Sequence, residues 1–168
     1  MLHIAGTVSA GTYVETITVT DALDMTGTET FTVLVNPAIV ISGTTTMVTT
    51  HGIARAYPAL TWTGGTTSQQ GTIANSGSYR AMQFAMSPNI TGITIDSATG
   101  VISIGTNAPT GKWTETVTAT DSVTATGTLA FSIWVNAPPV MGAISPVVTT
   151  YGRVDTAVAT AATFGTAS

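Results

Sequence analysis

Sliding the sequence by 100 positions lays residues 1–68 over residues 101–168 without a gap. No other feature restricts the fold as strongly. The matches run through Gly11/Gly111, Glu15/Glu115, Thr18/Thr118 and Asp21/Asp121. They continue with Thr26-Gly27-Thr28 against Thr126-Gly127-Thr128, Phe31/Phe131 and Val35-Asn36 against Val135-Asn136. Val48-Thr49-Thr50, Gly52 and Gly65-Thr66 hold the same register against their counterparts. Such a chain repeats a unit of about a hundred residues, an ordinary domain size. Prolines follow the matched segments at Asn36-Pro37 and Asn136-Ala137-Pro138-Pro139, where they stop a strand and stiffen a linker. The expected division is the C-terminal part of one repeat (1–36), a complete repeat (37–136) and the N-terminal part of a further one (137–168). Two arrangements fit this pattern. The chain is a window on a longer array, or its incomplete ends complement each other between copies, head to tail, by strand exchange.

The pattern inside the repeat is that of half-buried β-strands. From Gly111 to Asp121, Trp113, Glu115, Val117 and Ala119 share one face, and Thr114, Thr116, Thr118 and Thr120 the other. Tyr13, Glu15, Ile17 and Val19 stand against a similar Thr row in the earlier copy. In the next strand Leu129, Phe131, Ile133 and Val135 point inward, and Thr128, Ala130, Ser132 and Trp134 outward. The fold class that follows is all-β. Residues 64–75, rich in Gly and polar side chains, read as a loop. Residues 79–86 read as a strand whose Met82, Phe84 and Met86 stripe belongs to a core.

Two residues break the pattern. Glu115 falls on the core face, where an unpaired carboxylate is costly. It needs either Arg80 or Arg55 as an ion-pair partner, or a solvated place at the sandwich rim. Trp134 falls on the outer face, with Leu34 at the equivalent site, and these two are candidate contacts to a neighbouring repeat or subunit.

Composition narrows the function. Charged residues make up 7%, against a usual figure of about 25%, and the net charge is −4. With no basic patch, nucleic acid is not an expected partner. A surface made of Thr, Ser, Gly and Asn tolerates close packing against neighbours. The chain has no cysteine, so it has no disulfides and no thiolate metal ligands. Its two histidines, His3 and His51, are far apart, and position 151, aligned with His51, is Tyr. No nucleophilic triad, paired carboxylates or phosphate-binding Gly loop is visible, so no enzymatic activity, catalytic residue or cofactor is expected. No signal peptide is visible, so an export signal is expected to lie outside this chain, and no apolar run is long enough to span a bilayer. Asn89-Ile90-Thr91 is an N-glycosylation sequon.

Thr94-Ile-Asp-Ser-Ala-Thr-Gly-Val-Ile-Ser, the Gly111-Lys-Trp-Thr-Glu-Thr-Val-Thr-Ala-Thr-Asp121 strand and the closing Val135-Asn136 carry a family likeness. They resemble the immunoglobulin-like repeats of bacterial surface proteins, relatives of the cadherin-like domains. Ala59-Leu-Thr-Trp-Thr-Gly-Gly-Thr66 fits the family's earlier strand and Gly-Gly turn. The resemblance covers 37–136 and both flanks. It implies tandem Ig-like, cadherin-like β-sandwiches serving as spacers, stalks or adhesive units. The linkers Asn36-Pro37-Ala38 and Asn136-Ala137-Pro138 lack the carboxylates of calcium-binding cadherins, and Asp96, Asp121 and Glu115 are single acids, so calcium is not expected. The function expected is a structural repeat module of an extracellular, cell-surface or virion-surface protein, forming a stalk, sheath or filament with copies of itself. The alternative is an adhesin that binds surface glycan or protein.

Overall fold

The structure, a computed structural model, describes residues 4–67, 81–143, 146 and 148–153. Within them the chain is all-β. The strands are β1 (Gly11–Thr20), β2 (Thr26–Val35), β3 (Val40–Ser42), β4 (Thr46–Thr50), β5 (Arg55–Ala56), β6 (Thr61–Thr63), β7 (Gln83–Ser87), β8 (Ile93–Ile95), β9 (Ile102–Ile104), β10 (Gly111–Thr120) and β11 (Thr126–Asn136).

β10 and β11 form the long central hairpin that the Thr-rich alternation predicts. β7 joins β10 antiparallel and β4 joins β11 parallel, giving a four-stranded sheet in the order β4-β11-β10-β7. Shorter pairings, β3-β6 and β5-β9-β8, complete the body. This layering around one core is that of a β-sandwich. The period-2 reading of the faces holds. Val117, Ala119, Phe131, Ile133 and Val135 are buried, with Ile39, Ile41, Met47, Leu60, Ile93, Ile102 and Ile104 among the residues packed with them. Trp113 and Leu129 are half-buried against this core. Met82 and Phe84 are buried and Met86 half-buried, as the stripe requires. Their strand begins at Gln83, however, rather than at 79. Tyr79, Arg80 and most of the 64–75 loop lie outside the described residues.

β1 and β2 form a second hairpin that pairs, among the described strands, only with itself. Its register is that of the central hairpin displaced by the sequence offset. Gly11 faces Val35 and Thr20 faces Thr26, as Gly111 faces Val135 and Thr120 faces Thr126. The turns match in detail. Asp21 Oδ1 accepts the N–H groups of Leu23 (2.8 Å) and Met25 (3.0 Å), and Asp121 Oδ1 those of Val123 (3.0 Å) and Ala125 (2.8 Å). Asp24 and Thr124, the corresponding turn residues, both have positive φ, 61° and 68°. The Tyr13 hydroxyl donates to the Ser9 carbonyl, and Trp113 Nε1 to that of Pro109, four residues back in each case.

The surroundings differ. In the central hairpin Asp121 is buried, and its Oδ2 accepts the Thr66 N–H at 2.8 Å. Gly127 lies so close to Ile39 that a Cβ would meet the Ile39 carbonyl oxygen at 2.6 Å and its side chain at 2.7 Å. In the first hairpin Asp21 is exposed, and a Cβ on Gly27 would meet nothing within 4 Å.

Candidate interaction surface

The inner face of β1–β2 carries the residues that a sandwich buries, with no described strand layered over them. Ile17 is 52% exposed and Val19 67%, while their counterparts Val117 and Ala119 are 0%. Tyr13, Phe31, Val33 and Val35 are half-buried, covered in part by their cross-strand neighbours. Glu15 and Glu29 share this face. Glu29 stands where the central hairpin has Leu129. On the outer face Val14 is 68% exposed and Leu34 44%. The backbone edge of β2 that corresponds to the β4-binding edge of β11 has no strand beside it among the described residues.

That correspondence is specific, because β4 shows what the edge of β11 holds. Ser132 faces Thr46, Trp134 faces Val48 and Asn136 faces Thr50. The Ser132 N–H donates to the Thr45 carbonyl (2.9 Å), and the His51 N–H donates to the Asn136 carbonyl (2.8 Å). In a parallel ladder alternate residues of a strand face the neighbour. Residues 45, 47, 49 and 51 therefore bond to β11, while 46, 48 and 50 turn their amides away. Val48 accordingly bonds elsewhere: its N–H donates to the Tyr57 hydroxyl at 2.9 Å, and that hydroxyl donates to the Val48 carbonyl at 3.0 Å. Tyr57 thus closes the outer edge of β4, a role that no spacing in the sequence reveals.

Trp134 is on the outer face as the alternation predicts, but half-buried. Lys112, directly opposite in the register, lies 4.5 Å above the ring, and Val48 flanks it on β4. Leu34 has no such cover: the residue opposite it is Thr12.

Glu115 is fully buried in the middle of β10 facing Phe131, which rules out a solvated place at the rim. Neither carboxylate oxygen has a hydrogen-bond partner among the described residues, and burial pushes the carboxyl above its ordinary pKa. Arg55 is exposed on β5 and makes no hydrogen bond to it. Arg80 lies outside the described residues. Asp96 is the opposite case. Its Oδ1 accepts the Thr99 N–H (2.8 Å), the Thr99 hydroxyl (2.8 Å) and the Ala98 N–H (3.0 Å), and the Thr99 backbone bond foremost holds its pKa below the usual value. This is a turn clasp in the Asp-x-x-Thr-Gly segment, where Gly100 takes a φ of 70°.

His51 places Nδ1 2.8 Å from the Ala108 carbonyl. Among the described residues no group of three or more His, Cys, Asp and Glu is placed to hold a metal ion, and no helix is long and apolar enough to cross a membrane. An open depression of about 450 Å³ is lined by Arg55, Thr94, Ser103 and Asn107 with backbone from Gly92 and Gly105. Asn89 of the sequon is exposed.

No protein-family model and no curated protein matches this chain. Among solved structures it is similar to a protein from Bacteroides fragilis assigned as an α-galactosidase, with a TM-score of 0.41 and 18% identity. That match covers 58% of this chain and 17% of the other.

Proposed function

We propose that the chain is a structural repeat module, built from Ig-like, cadherin-like units of about a hundred residues, that assembles with copies of itself into a stalk, sheath or filament of an extracellular surface. The observation that carries this reading is the paired hairpins. One hairpin pattern, in one register, occurs once inside a sandwich and once with its inner face open. A spacer built in series needs such interchangeable units, and a surface of Thr and Ser with 7% charged residues suits dense packing. Membership of the Ig-like class is supported by the Asp96-to-Gly100 turn and by the long hairpin closing at Asn136. We assign the chain no catalytic role.

Negative-stain electron microscopy of the purified chain over a concentration series tests this. Polymers that lengthen with concentration are the expected result. A monodisperse particle that instead binds immobilised glycans would replace this reading with that of an adhesin, for which the depression beside Arg55 and Asn107 is the place to look.

A further inference from the structure

The β4–β11 contact inside the sandwich is a template with a second, unfilled copy in the same chain. On one side is the edge of β2 from Thr32 to Asn36, beside which no described strand lies. On the other are Pro146 and residues 148–153, which align with 46 and 48–53 and belong to none of the described strands. They nevertheless already carry the turn that follows β4. The Arg153 N–H donates to the Thr150 carbonyl at 3.1 Å, as Ile53 does to Thr50 at 3.0 Å. The Thr149 hydroxyl reaches the Arg153 carbonyl at 3.4 Å, as Thr49 reaches Ile53 at 3.1 Å. Gly152 and Gly52 share a φ of 88°. Two apolar side chains of this segment are open to solvent: Val148 is 87% exposed and Tyr151 105%, with Val140 and Met141 just upstream at 61% and 71%.

We propose that the described residues from Pro139 onward in a second copy of this chain, 139–143, 146 and 148–153, dock on the β1–β2 hairpin, with Pro146, Val148 and Thr150 set beside β2 in the β4–β11 register. Pro146 then faces Thr32, Val148 faces Leu34 and Thr150 faces Asn36. This deepens the proposed assembly by naming the joint, and it rests on that reading.

Three features favour the fit. Pro146 replaces Thr46, a position whose amide turns away from the neighbouring strand, so the proline costs the ladder no hydrogen bond. Val148 meets Leu34 on the outer face, an apolar pair where the sandwich has Val48 beside Trp134. Gly27 leaves open the space that Ile39 fills at Gly127, and the aligned incoming residue is Pro139.

The polarity of the chain favours another copy as the occupant. Asn36 bonds to Thr66, and Thr66 to the Asp121 turn, so the hairpin departs from the turn end of β11. Residues 137–153 depart from Asn136, nine strand residues or about 30 Å away at the opposite end. Donor and acceptor at opposite ends of a unit make a heterologous, head-to-tail contact. What docks supplies counterparts of the first strands of the body and none of β7. The edge of β1 matching β7's place on β10 stays open.

Because the chain has no cysteine, the register is testable by cross-linking the full chain. A Leu34→Cys/Val148→Cys double variant, mildly oxidised, is expected to give a ladder of covalent oligomers on a non-reducing gel. Its rate should be at least about tenfold that of a Thr18→Cys/Val148→Cys control, because docking holds the two thiols together. Both positions are exposed, so folding should survive, which circular dichroism checks. A Thr149→Pro change, which removes an amide that the ladder requires, is expected to abolish the enhancement, and Val148→Pro in an Asn36→Cys/Thr150→Cys background, the next directly opposed pair, to retain it. Oxidation no faster than the control, or a cross-link confined within one chain, overturns the proposal. If polymers persist by microscopy while the cross-link fails, copies join through another face and the structural reading stands. If both fail, both fall.

Discussion

Replacing Glu115 with Gln isolates the physical cost of one residue. Folding places this carboxyl in a fully buried site with no hydrogen-bond partner among the described residues. Keeping it neutral at pH 7, when its ordinary pKa is 4.5, means taking up a proton 2.5 units above that value, at about 1.36 kcal/mol per unit. The penalty at pH 7 is therefore at most about 3.4 kcal/mol. The sign follows from the proton count. An acid whose pKa rises on folding leaves the native state holding more protons than the unfolded chain between the two values. The contribution of Glu115 to stability is thus most favourable below about pH 4.5, falls as pH rises through that window, and levels off above the folded-state value. Gln keeps the shape and removes the titration. Glu115→Gln should raise the unfolding free energy at pH 7.5 by up to about 3 kcal/mol, a gain of several degrees in Tm, and should change little at pH 4. Urea unfolding followed by tryptophan fluorescence at both pH values, with m unchanged, measures it. A variant less stable than wild type at pH 7.5 would refute the reasoning. It would mean that the carboxylate is charged and paired, with Arg80 the cation the sequence offers.

The duplicated hairpins provide internal controls for three further predictions. Gly127→Ala should destabilise the sandwich by about 1–3 kcal/mol, because the new Cβ collides with Ile39, while Gly27→Ala should stay within about 0.5 kcal/mol; chemical unfolding compares them. Asp121→Ala strips acceptors from the Val123, Ala125 and Thr66 amides and should cost about 2 kcal/mol or more, whereas Asp21→Ala, exposed and without the Thr66 bond, should cost about 1 kcal/mol or less. Glu15→Gln should tighten self-association, since docking would cover part of the face that carries this carboxylate. A tenfold tighter Kd, about 1.4 kcal/mol, is the scale to seek by sedimentation equilibrium.

The faces of the strands were legible in the sequence because side chains alternate with period 2, and a residue's face does not depend on its partners. Depth was not legible. The alternation put Glu115 on the core face but could not say whether it sat at mid-strand or at the rim, since that depends on which strands cover β10. Trp134 shows the same limit. Its outward direction is a property of β11, whereas its half-burial comes from Lys112 and Val48, which arrive through cross-strand register. The 100-residue offset foretold the second hairpin down to its Asp turn, because both copies encode it locally. The parallel β4–β11 pair joins residues more than 80 apart, and no local signal marks it. Tyr57, which seals the edge of β4, and the Thr66 amide, which ties Asp121 to the Gly-Gly turn, became visible only with that pairing. Asp21/Asp121 and Thr66/Thr166 are both matched in the repeat, and that was the trace such a contact left in the sequence.

Sedimentation velocity of the unmodified chain, from low micromolar upward, tests the central claim most directly. Head-to-tail docking predicts a weight-average sedimentation coefficient that climbs with concentration without reaching a closed dimer, and that returns to the monomer value in Thr149→Pro. A single monomeric boundary at every concentration would contradict it.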